Sequence, residues 1–415
     1  MKLAPKQDRF HVSIDILLML LVAVRIFDLK TFGWLFGGEG GFFVYLVLLI
    51  VIYIRNMGFK VRYEAVGKMT PVWWILIGAL ISFIPAYRYY GQHLYYSVIV
   101  YRPFFGYFAL FVLLSVKPTR RELKRALYAF SVIYLVATLY VTFVNQDLVE
   151  LEEKVDFIQK GDFVHLLSGI EYVVLAFIFA VDDFRNQRRI SWPHLIWSLF
   201  IFAIVFLPQN RTTIMASFVI VLVATLSSRS ASRRLVSEVV MGFFALAVLV
   251  LAGGYIMGLV NETVQQLSDP DYNRVKAFSY FTSLPNGWMS IFWGNGFISG
   301  NVHPIMSQLM QDGIYYADMG LLGFWFLFGI IPVGAILYYV FKGLSRKHSF
   351  LVRANAWFIL VGMLTISFFL RFNYSLWLCI FLYLSANDPV YEWNAAVEKK
   401  KRAEKKALHR YRSLA

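Results

Sequence analysis

The sequence predicts an all-α polytopic membrane protein with about twelve transmembrane helices. Hydrophobic residues make up 59% of its 415 residues, charged residues make up only 16%, and the mean hydropathy is +0.60. A soluble chain of this length cannot bury so much apolar surface, because a typical globular protein is about 25% charged and single cores stop growing near about 250–300 residues. Lipid is therefore the expected solvent for most of the chain.

The apolar stretches have close to the length that a bilayer requires of a helix. In chain order, the expected spans are residues 14–29, 41–54, 70–86, 98–116, 126–144, 164–181, 194–207, 212–226, 235–258, 319–341, 350–370 and 372–386. The first span follows basic residues but lacks a small-residue cleavage site, which indicates an uncleaved signal-anchor. No repeat or separate soluble domain interrupts the pattern, so residues 1–415 are expected to form a single membrane domain.

The basic residues lie between the apolar stretches and favour one side of the membrane. With the N-terminus in the cytoplasm, the cytoplasmic segments hold 30 of the 40 Lys and Arg residues, and the tail 387–415 is the most basic of them. Because Lys and Arg concentrate in cytoplasmic loops, both termini are predicted to be cytoplasmic. The net charge of +15 then reflects topology, with no nucleic-acid partner, and the tail is expected to lie on anionic membrane lipids.

Three loops predicted on the outer side of the membrane carry polar residues that could bind a substrate or take part in catalysis. Loop 87–97 is rich in Tyr, which suits either stacking on sugars or an aromatic belt at the interface. Loop 145–163 is acidic, and the apolar spacing from Leu148 to Ile158 predicts a short amphipathic helix. Loop 259–318 is the longest, so the functional residues are expected mainly there.

Residues 194–207 and 212–226 predict a short helical pair joined by Pro208-Gln209-Asn210-Arg211. A helix of about 14 residues spans about 21 Å, less than the roughly 30 Å of hydrocarbon, so the apex is expected below the outer surface unless residues 191–193 extend the first helix. Arg211 would then lie within the membrane, where a charge generally faces a water-filled cavity. The alternative is an Arg that reaches back to the outer headgroups.

The long loop contains an ordered set of polar and glycine-rich motifs. They are Arg274, Trp293-Gly294-Asn295-Gly296, His303 and, at the start of the next span, Gly320-Leu321-Leu322-Gly323. Asp269 and Asp271 could clamp a metal, but helix-capping residues in a Pro turn explain this pair as well. The His residues are not paired at zinc spacing and Cys379 is the only Cys, so no metal site is expected.

With these features the chain resembles the superfamily of O-antigen ligases and O-antigen (Wzy-type) polymerases, which are bacterial membrane glycosyltransferases of the GT-C kind. The resemblance rests on the span count, the Arg211-Thr212 pair at a hairpin apex, the longest outer loop between the ninth and tenth spans, and the order of motifs in that loop. It covers residues 195–341, while the first half agrees only in topology. It implies a GT-C-like fold in the bacterial inner membrane, with part of the active site on the periplasmic loop 259–318.

The resemblance also implies a reaction. A glycan would pass from an undecaprenyl-pyrophosphate-linked oligosaccharide to a hydroxyl of an acceptor glycan at the periplasmic face, without cofactor, nucleotide sugar or metal, and a chain-length regulator is an implied partner. Guanidinium groups bind phosphate oxygens in a bidentate manner, so Arg211 and Arg274 are expected on the pyrophosphate. A neutral imidazole accepts a proton near neutral pH, so His303 is the expected general base.

Three further Arg residues are candidates for substrate binding on the same side. Arg371 lies at a tight turn between the last two spans, and Arg88 and Arg102 lie in or near the Tyr-rich loop. All three could add positive charge to a funnel that binds phosphate. Each could equally be an anchor at the membrane interface.

The sequence leaves the type of activity open in two respects. A polymerase joins repeat units to one another, whereas a ligase moves a finished glycan onto lipid A core; the divergent first half favours a polymerase for one particular repeat unit. A lipid-linked oligosaccharide flippase also has about twelve spans, but transporters commonly show similarity between repeated parts of the chain, and none is visible here.

Overall fold

The computed structural model of the chain describes about two-thirds of its residues. These are residues 9–28, 35, 40–60, 62–144, 157–160, 163–166, 168–186, 191–206, 211–226, 261, 264, 268–269, 273–283, 289–298, 319–363, 372–391, 393–394 and 397. The predicted span 235–258, most of the long loop and the basic end of the tail lie outside the described residues.

The described part of the chain is helical apart from one two-stranded sheet. Its first half contains α1 Phe10–Ala23, α2 Gly40–Met57, α3 Tyr63–Lys68, α4 Thr70–Ile81, α5 Phe83–Tyr90, α6 Leu94–Val100, α7 Phe108–Val116 and α8 Arg120–Phe143, with 3₁₀ turns at Arg25–Asp28 and Arg102–Tyr107. After β1 Phe157–Lys160 and β2 Phe163–Leu166 come α9 Ile170–Asn186, α10 Trp192–Phe206, α11 Arg211–Leu226, α12 Asn273–Ser283, α13 Met289–Trp293, α14 Gly320–Phe328, α15 Ile330–Leu344, α16 Phe350–Gly362 and α17 Phe372–Ala386.

Several helices have the length and composition of membrane spans. Among the described residues, Gly40–Met57, Thr70–Tyr90 and Arg120–Phe143 are long and apolar enough to cross a bilayer. Leu94–Val100 and Arg102–Val116 make a fourth span if the two pieces, which meet at a bend of 49°, are counted as one. The structure is therefore consistent with the predicted helical membrane protein, and the number of twelve spans stays a prediction.

Helix α9 lies at the centre of the described structure. Every residue from Ile170 to Asp182 is buried, and α9 packs against α8, α10, α11 and α16. Long exposed apolar side chains instead cover the outside of helices such as α2 and α8. An apolar exterior around a buried central helix is the arrangement expected of a bundle whose solvent is lipid.

Two predicted spans are broken in the structure. Span 98–116 bends around Arg102–Tyr107, and span 319–341 stops at Gly329, whereas the irregularity at Ser82 leaves Thr70–Tyr90 one continuous helix. Pro103 lacks an N–H and so favours a break in the first case, and Gly329 adopts a φ of +77° that ends the first helical piece in the second. Hydropathy alone does not reveal such breaks, because the apolar composition continues across them.

The amphipathic helix predicted for the acidic loop 145–163 is wrong at residues 157–160, which the structure describes. Residues 157–160 form β1 and not part of an amphipathic helix, and Ile158 pairs with His165 in antiparallel register. The predicted span 164–181 accordingly begins only at Ile170. In the sequence a Gly-Asp dipeptide lies between the two strands, and this composition is typical of hairpins, which opposes the helical spacing of the apolar residues. Residues 145–156 lie outside the described residues.

Helix α1, in the predicted first span, carries a buried carboxylate whose charge is compensated. Asp15 is 2% exposed and lies within the predicted first span. Its two oxygens accept hydrogen bonds from Arg55 Nη1 at 2.9 Å and from Asn56 Nδ2 at 2.8 Å. An intramembrane carboxylate is costly unless it is paired, so these contacts explain how the span tolerates Asp15.

Segments that were predicted to be cytoplasmic contact one another at one end of the bundle. The buried Glu122 accepts hydrogen bonds from the backbone and side chain of Arg9 and, in a capping box, from the backbone of Thr119. Lys117 in turn contacts Glu64 at 2.7 Å. The N-terminal segment and the loops around residues 64 and 120 therefore meet in one polar network.

A second network joins the loop between α15 and α16 to the segment that follows α17, at the start of the C-terminal tail. His348 and Asp388 are buried and 3.0 Å apart, and the His348 ring stacks on Tyr391. Asp388 also accepts hydrogen bonds from the backbone N–H groups of Ser349 and Val390. Burial alone would raise the pKa of the Asp388 carboxyl, but the hydrogen bonds from His348, Ser349 and Val390 outweigh it and lower this pKa below its ordinary value.

We expect Asp388→Asn to destabilise the fold by about 1–3 kcal/mol, because it leaves buried donors without a charged acceptor. Since the folded-state pKa is lowered, the stabilisation from Asp388 is complete above the pKa of the unfolded chain and is lost as pH falls through the folded value. Thermal unfolding in detergent between neutral and acidic pH measures both effects. Glu64→Gln, which alters an exposed ion pair, is the control and should change little; equal effects from both variants would contradict the expectation.

Candidate functional site

The glycine motif of the long loop lies against a break between two helices. After α13, residues 294–298 are buried and run beside the junction of α14 and α15. The backbone N–H groups of Asn295 and Gly296 donate to the carbonyls of Phe326 at 2.9 Å and Leu327 at 3.0 Å, which are among the last carbonyls of α14. The Asn295 side chain donates to the Phe326 carbonyl as well. Segment 294–298 thus satisfies carbonyls that the end of a helix leaves without partners.

Glycine is required in this segment for both conformation and space. Gly294 and Gly296 have φ values of +75° and +85°. A Cβ on Gly294 would lie 2.2 Å from the carbonyl oxygen of Leu327, and a Cβ on Gly296 would lie 2.5 Å from the backbone nitrogen of Ala86. Only residues without a side chain allow these backbones to approach so closely.

The same segment is joined to the Tyr-rich region of the first half. The backbone N–H of Phe297 donates to the hydroxyl of Tyr101 at 3.0 Å, and the side chain of Gln92 donates to the carbonyl of Phe297 at 3.0 Å. The Tyr101 hydroxyl makes a further short hydrogen bond with Ser82, between α4 and α5. Two loops that were predicted on the outer side, 87–97 and 259–318, are therefore in direct contact.

A cavity of about 340 Å³ opens where α5 meets this segment. Apolar and aromatic side chains form most of its wall, and Arg88 adds a guanidinium group. Its lining residues are Ile81, Ile84, Pro85, Arg88, Tyr89, Trp293 and Gly294. Arg88 is exposed, so its charge is accessible from outside the protein. A mostly apolar cavity whose described lining includes the cation of Arg88 suits a molecule that has an apolar part and an anionic group.

Arg102 lies at the start of the 3₁₀ turn Arg102–Tyr107 and is half-buried. Its positive charge is close enough to that of Arg25 for the two to repel each other. Arg25, Ile26 and Phe27 all have positive φ values, an unusual run for residues other than glycine. Strained backbone tends to occur at functional sites, so the pair of guanidinium groups is a second candidate place for an anion.

The remaining predicted site residues are described only partly or not at all. Arg211 is the first residue of α11, and Arg274 is the second residue of α12, but neither side chain is described. His303 and Arg371 lie outside the described residues, although Arg371 directly precedes α17. Helix α10 begins at Trp192, so Trp192 and Pro193 extend the first helix of the pair. This extension is the condition under which the apex was not expected below the outer surface, so the depth of Arg211 stays a prediction.

Helix α12, which carries Arg274, packs close to the glycine motif. Ala277 and Met319 are in contact and buried, and the side chains of Tyr280 and Phe326 pack on them. Phe326 is also the residue whose carbonyl binds Asn295. Burial raises the pKa of the Tyr280 phenol, so Tyr280 remains protonated at neutral pH. Arg274 thus begins a helix that rests on the same part of α14 as segment 294–298.

Sequence reasoning missed the buried carboxylate of Glu171. This residue is 1% exposed near the start of α9, and its Oε1 accepts a hydrogen bond from the side chain of Asn373 at 2.8 Å. The hydroxyl of Tyr172 donates to the Asn373 carbonyl at 2.8 Å, so Glu171 and Tyr172 hold the starts of α9 and α17 together. A carboxylate inside a predicted span is itself a signal of function, and it could have singled out Glu171.

The described residues contain no group of three or more His, Cys, Asp and Glu side chains placed to hold a metal ion. Asp269 is among these residues, whereas Asp271 is not, so the structure leaves this pair as a prediction. The chain matches none of the protein families and none of the curated proteins with which it was compared.

Proposed function

We propose that this protein is a metal-independent polysaccharide polymerase of the bacterial inner membrane. It transfers glycan from an undecaprenyl-pyrophosphate-linked donor to an acceptor sugar hydroxyl at the periplasmic face. The proposal includes a GT-C-like arrangement of about twelve spans, with both termini in the cytoplasm and loop 259–318 outside. It is based on the sequence resemblance and on the cavity beside the glycine motif.

The single observation that carries the proposal is the position of Arg88. Its guanidinium group lines an apolar cavity that is completed by Trp293 and Gly294, from the loop that was expected to hold the active site. A polyprenyl pyrophosphate combines an apolar chain with an anionic group, which is the combination that this cavity fits. Arg88 would contact the pyrophosphate while the apolar wall contacts the first part of the chain.

The proposed reaction is a single displacement on the donor sugar. The acceptor hydroxyl oxygen forms a bond with the anomeric carbon, and the bond from that carbon to the pyrophosphate oxygen breaks. His303 takes the hydroxyl proton, and undecaprenyl pyrophosphate leaves with the bonding electron pair. Arg211 and Arg274 stabilise the negative charge on the leaving group, and Arg88, Arg102 and Arg371 bind the donor.

Different acceptors and conditions distinguish the proposed activity from its alternatives. The purified full-length chain is mixed with a lipid-linked oligosaccharide and excess EDTA, and products are separated on gels. A ladder of repeat units is the expected result. Transfer of one glycan to added lipid A core would indicate a ligase, and movement of intact donor between leaflets without transfer would indicate a flippase. Activity that requires added magnesium or manganese would make Asp269 and Asp271 candidate ligands.

The contribution of Arg88 can be measured in the same assay. Arg88→Gln should raise the donor concentration required for half-maximal transfer, because it removes the charge from the cavity. Arg121→Gln, at an exposed Arg near the start of α8, is the matched control and should behave as the wild type. Equal activity of both variants at limiting donor would show that the cavity does not bind the donor.

The proposed orientation predicts the behaviour of reporter fusions. Alkaline phosphatase folds into an active enzyme only outside the cytoplasm, so a fusion at Gln308 should be active and a fusion at Arg402 inactive. The contacts of Arg9, Lys117 and Glu122 at one end of the bundle support a common side for the basic loops. The reverse pattern of enzyme activity would place loop 259–318 in the cytoplasm and exclude a periplasmic active site.

A further inference from the structure

A second cavity lies far from the glycine motif in sequence and is formed by the ends of three helices. It has a volume of about 330 Å³ and lies between the start of α8, the end of α9 and the start of α10. Its polar lining consists of Lys124, Tyr128, Asp183, His194 and Trp197. None of these residues has a role in the proposed reaction.

Hydrogen-bond donors dominate this lining. The ammonium of Lys124 lies 6.0 Å from the centre of the Tyr128 ring, and the ring of Trp197 packs at 5.4 Å from the same ring. The indole N–H of Trp197 is buried and interacts with the Tyr128 phenol, but this contact falls short of good hydrogen-bond geometry. A buried donor of this kind is costly unless a ligand or water supplies an acceptor.

The acidic group of the cavity is already engaged with cations. One oxygen of Asp183 is 2.7 Å from Lys124 and the other is 3.1 Å from Arg120. Arg120 also contacts the neighbouring Asp182. An ammonium group entering the cavity would have to displace a cation that already neutralises Asp183. An anion could instead share Lys124 with Asp183, because an ammonium has three N–H donors, and could also accept from Trp197. The arrangement favours an anionic ligand.

The cavity lies where a charged surface meets an apolar one. Helix α8 starts with four basic residues within its first two turns and is almost wholly apolar beyond them. On α10, Ile196, Leu199 and Phe200 are exposed next to the cavity residue Trp197. A ligand here can place a charged group among the donors and an apolar chain along α10, as a phospholipid does at a membrane interface.

We propose that this cavity binds the phosphate of an anionic phospholipid, with the acyl chains on the exposed face of α10. The site is independent of the glycosyltransferase reaction. In this site the N–H groups of Lys124 and Trp197 donate hydrogen bonds to the phosphate oxygens. The lipid is expected to have a neutral glycerol headgroup, because such a headgroup places no ammonium beside Asp183. A bound lipid of this kind would hold α8, α9 and α10 together.

The test measures binding of phosphatidylglycerol to the purified full-length chain. Lipid is titrated into delipidated protein in detergent, and occupancy is followed by native mass spectrometry and by thermal unfolding. Trp197→Phe keeps an aromatic ring and removes the N–H, and we expect it to weaken binding about tenfold, the loss expected for one hydrogen bond to a charged acceptor. Lys124→Gln should weaken binding by at least as much. Trp74→Phe, at an exposed tryptophan of α4 that neither lines the cavity nor lies on α10, is the control and should leave binding unchanged.

Other ligands distinguish the lipid from its alternatives. Phosphatidylcholine should bind more weakly than phosphatidylglycerol, because its ammonium competes for Asp183. Inorganic phosphate should not reproduce the stabilisation, because it lacks acyl chains. The proposal is overturned if phosphatidylcholine binds equally well, if inorganic phosphate gives the full effect, or if neither Trp197→Phe nor Lys124→Gln weakens binding.

Discussion

Replacing His303 with alanine should slow glycan transfer by about 10²–10⁴-fold, the usual loss when a general base is removed. The proposed mechanism assigns His303 only to the proton of the acceptor hydroxyl. Donor binding, which depends on Arg residues and on the cavity at Arg88, should therefore remain close to that of the wild type. Single-turnover rates on gels, lipid-donor affinity and membrane expression are measured together, so that a loss of chemistry is distinguished from a loss of protein.

A histidine in another loop that is predicted to lie on the outer side serves as the control for His303. His93 precedes α6, is exposed, and belongs to the Tyr-rich loop. His93→Ala should retain wild-type activity if the effect at position 303 comes from proton transfer and not from the general removal of a histidine. Full-length product from His303→Ala at normal expression would remove His303 from the mechanism and leave the general base unassigned.

Lysine substitutions at Arg211 and Arg274 should give a different kinetic pattern. Arg binds phosphate through a planar fork of donors, whereas the lysine ammonium is a point charge, so Arg→Lys should fail almost as badly as Arg→Ala. Both variants should lose donor affinity and turnover together, because the pyrophosphate is contacted before and during bond breaking. Intact activity in Arg211→Lys would instead assign Arg211 to the membrane interface.

Most of the helical character could be predicted from the sequence, because the membrane imposes a length and an apolar composition on each span. The break at Gly329 could not be predicted, because it depends on packing. Gly329 ends a helix where its neighbour is the backbone of Phe292, and a Cβ added to Gly329 would lie only 2.1 Å from the Phe292 carbonyl oxygen. That contact joins residues far apart in sequence, and no local pattern contains it.

The sequence predicts the motifs of the candidate site, but it does not predict which residues contact them. The glycine motif at 293–296 was recognised from its sequence, and the structure joins it to Gln92 and Tyr101, in the part of the chain where the resemblance offers only topology. The resemblance points to Arg and His residues and gives no role to Glu171, although a carboxylate within an apolar stretch is unusual on its own. Residues that act through tertiary contacts require the structure for their identification.

Gly296→Ala should disrupt the cavity and abolish most of the activity. The substitution has two costs. A residue other than glycine in the left-handed region costs about 1–2 kcal/mol. In addition, the new Cβ would lie 2.5 Å from the backbone nitrogen of Ala86, which cannot move without displacing α5 and Arg88. Segment 294–298 should therefore separate from α5, and both donor affinity and thermal stability should fall.

Two glycine controls separate these costs. Gly91 has a φ of +64°, and a Cβ added there would meet no atom within 4 Å, so Gly91→Ala measures the conformational cost alone. Gly334 lies in helix α15 with open space around it, so Gly334→Ala should be neutral or slightly stabilising. If contact between segment 294–298 and α5 builds the donor site, Gly296→Ala should lose far more activity than Gly91→Ala at a comparable expression level. Equal losses in these two variants would mean that the backbone conformation matters but the contact with Ala86 does not, and the cavity at Arg88 would then lose its place in the proposed function.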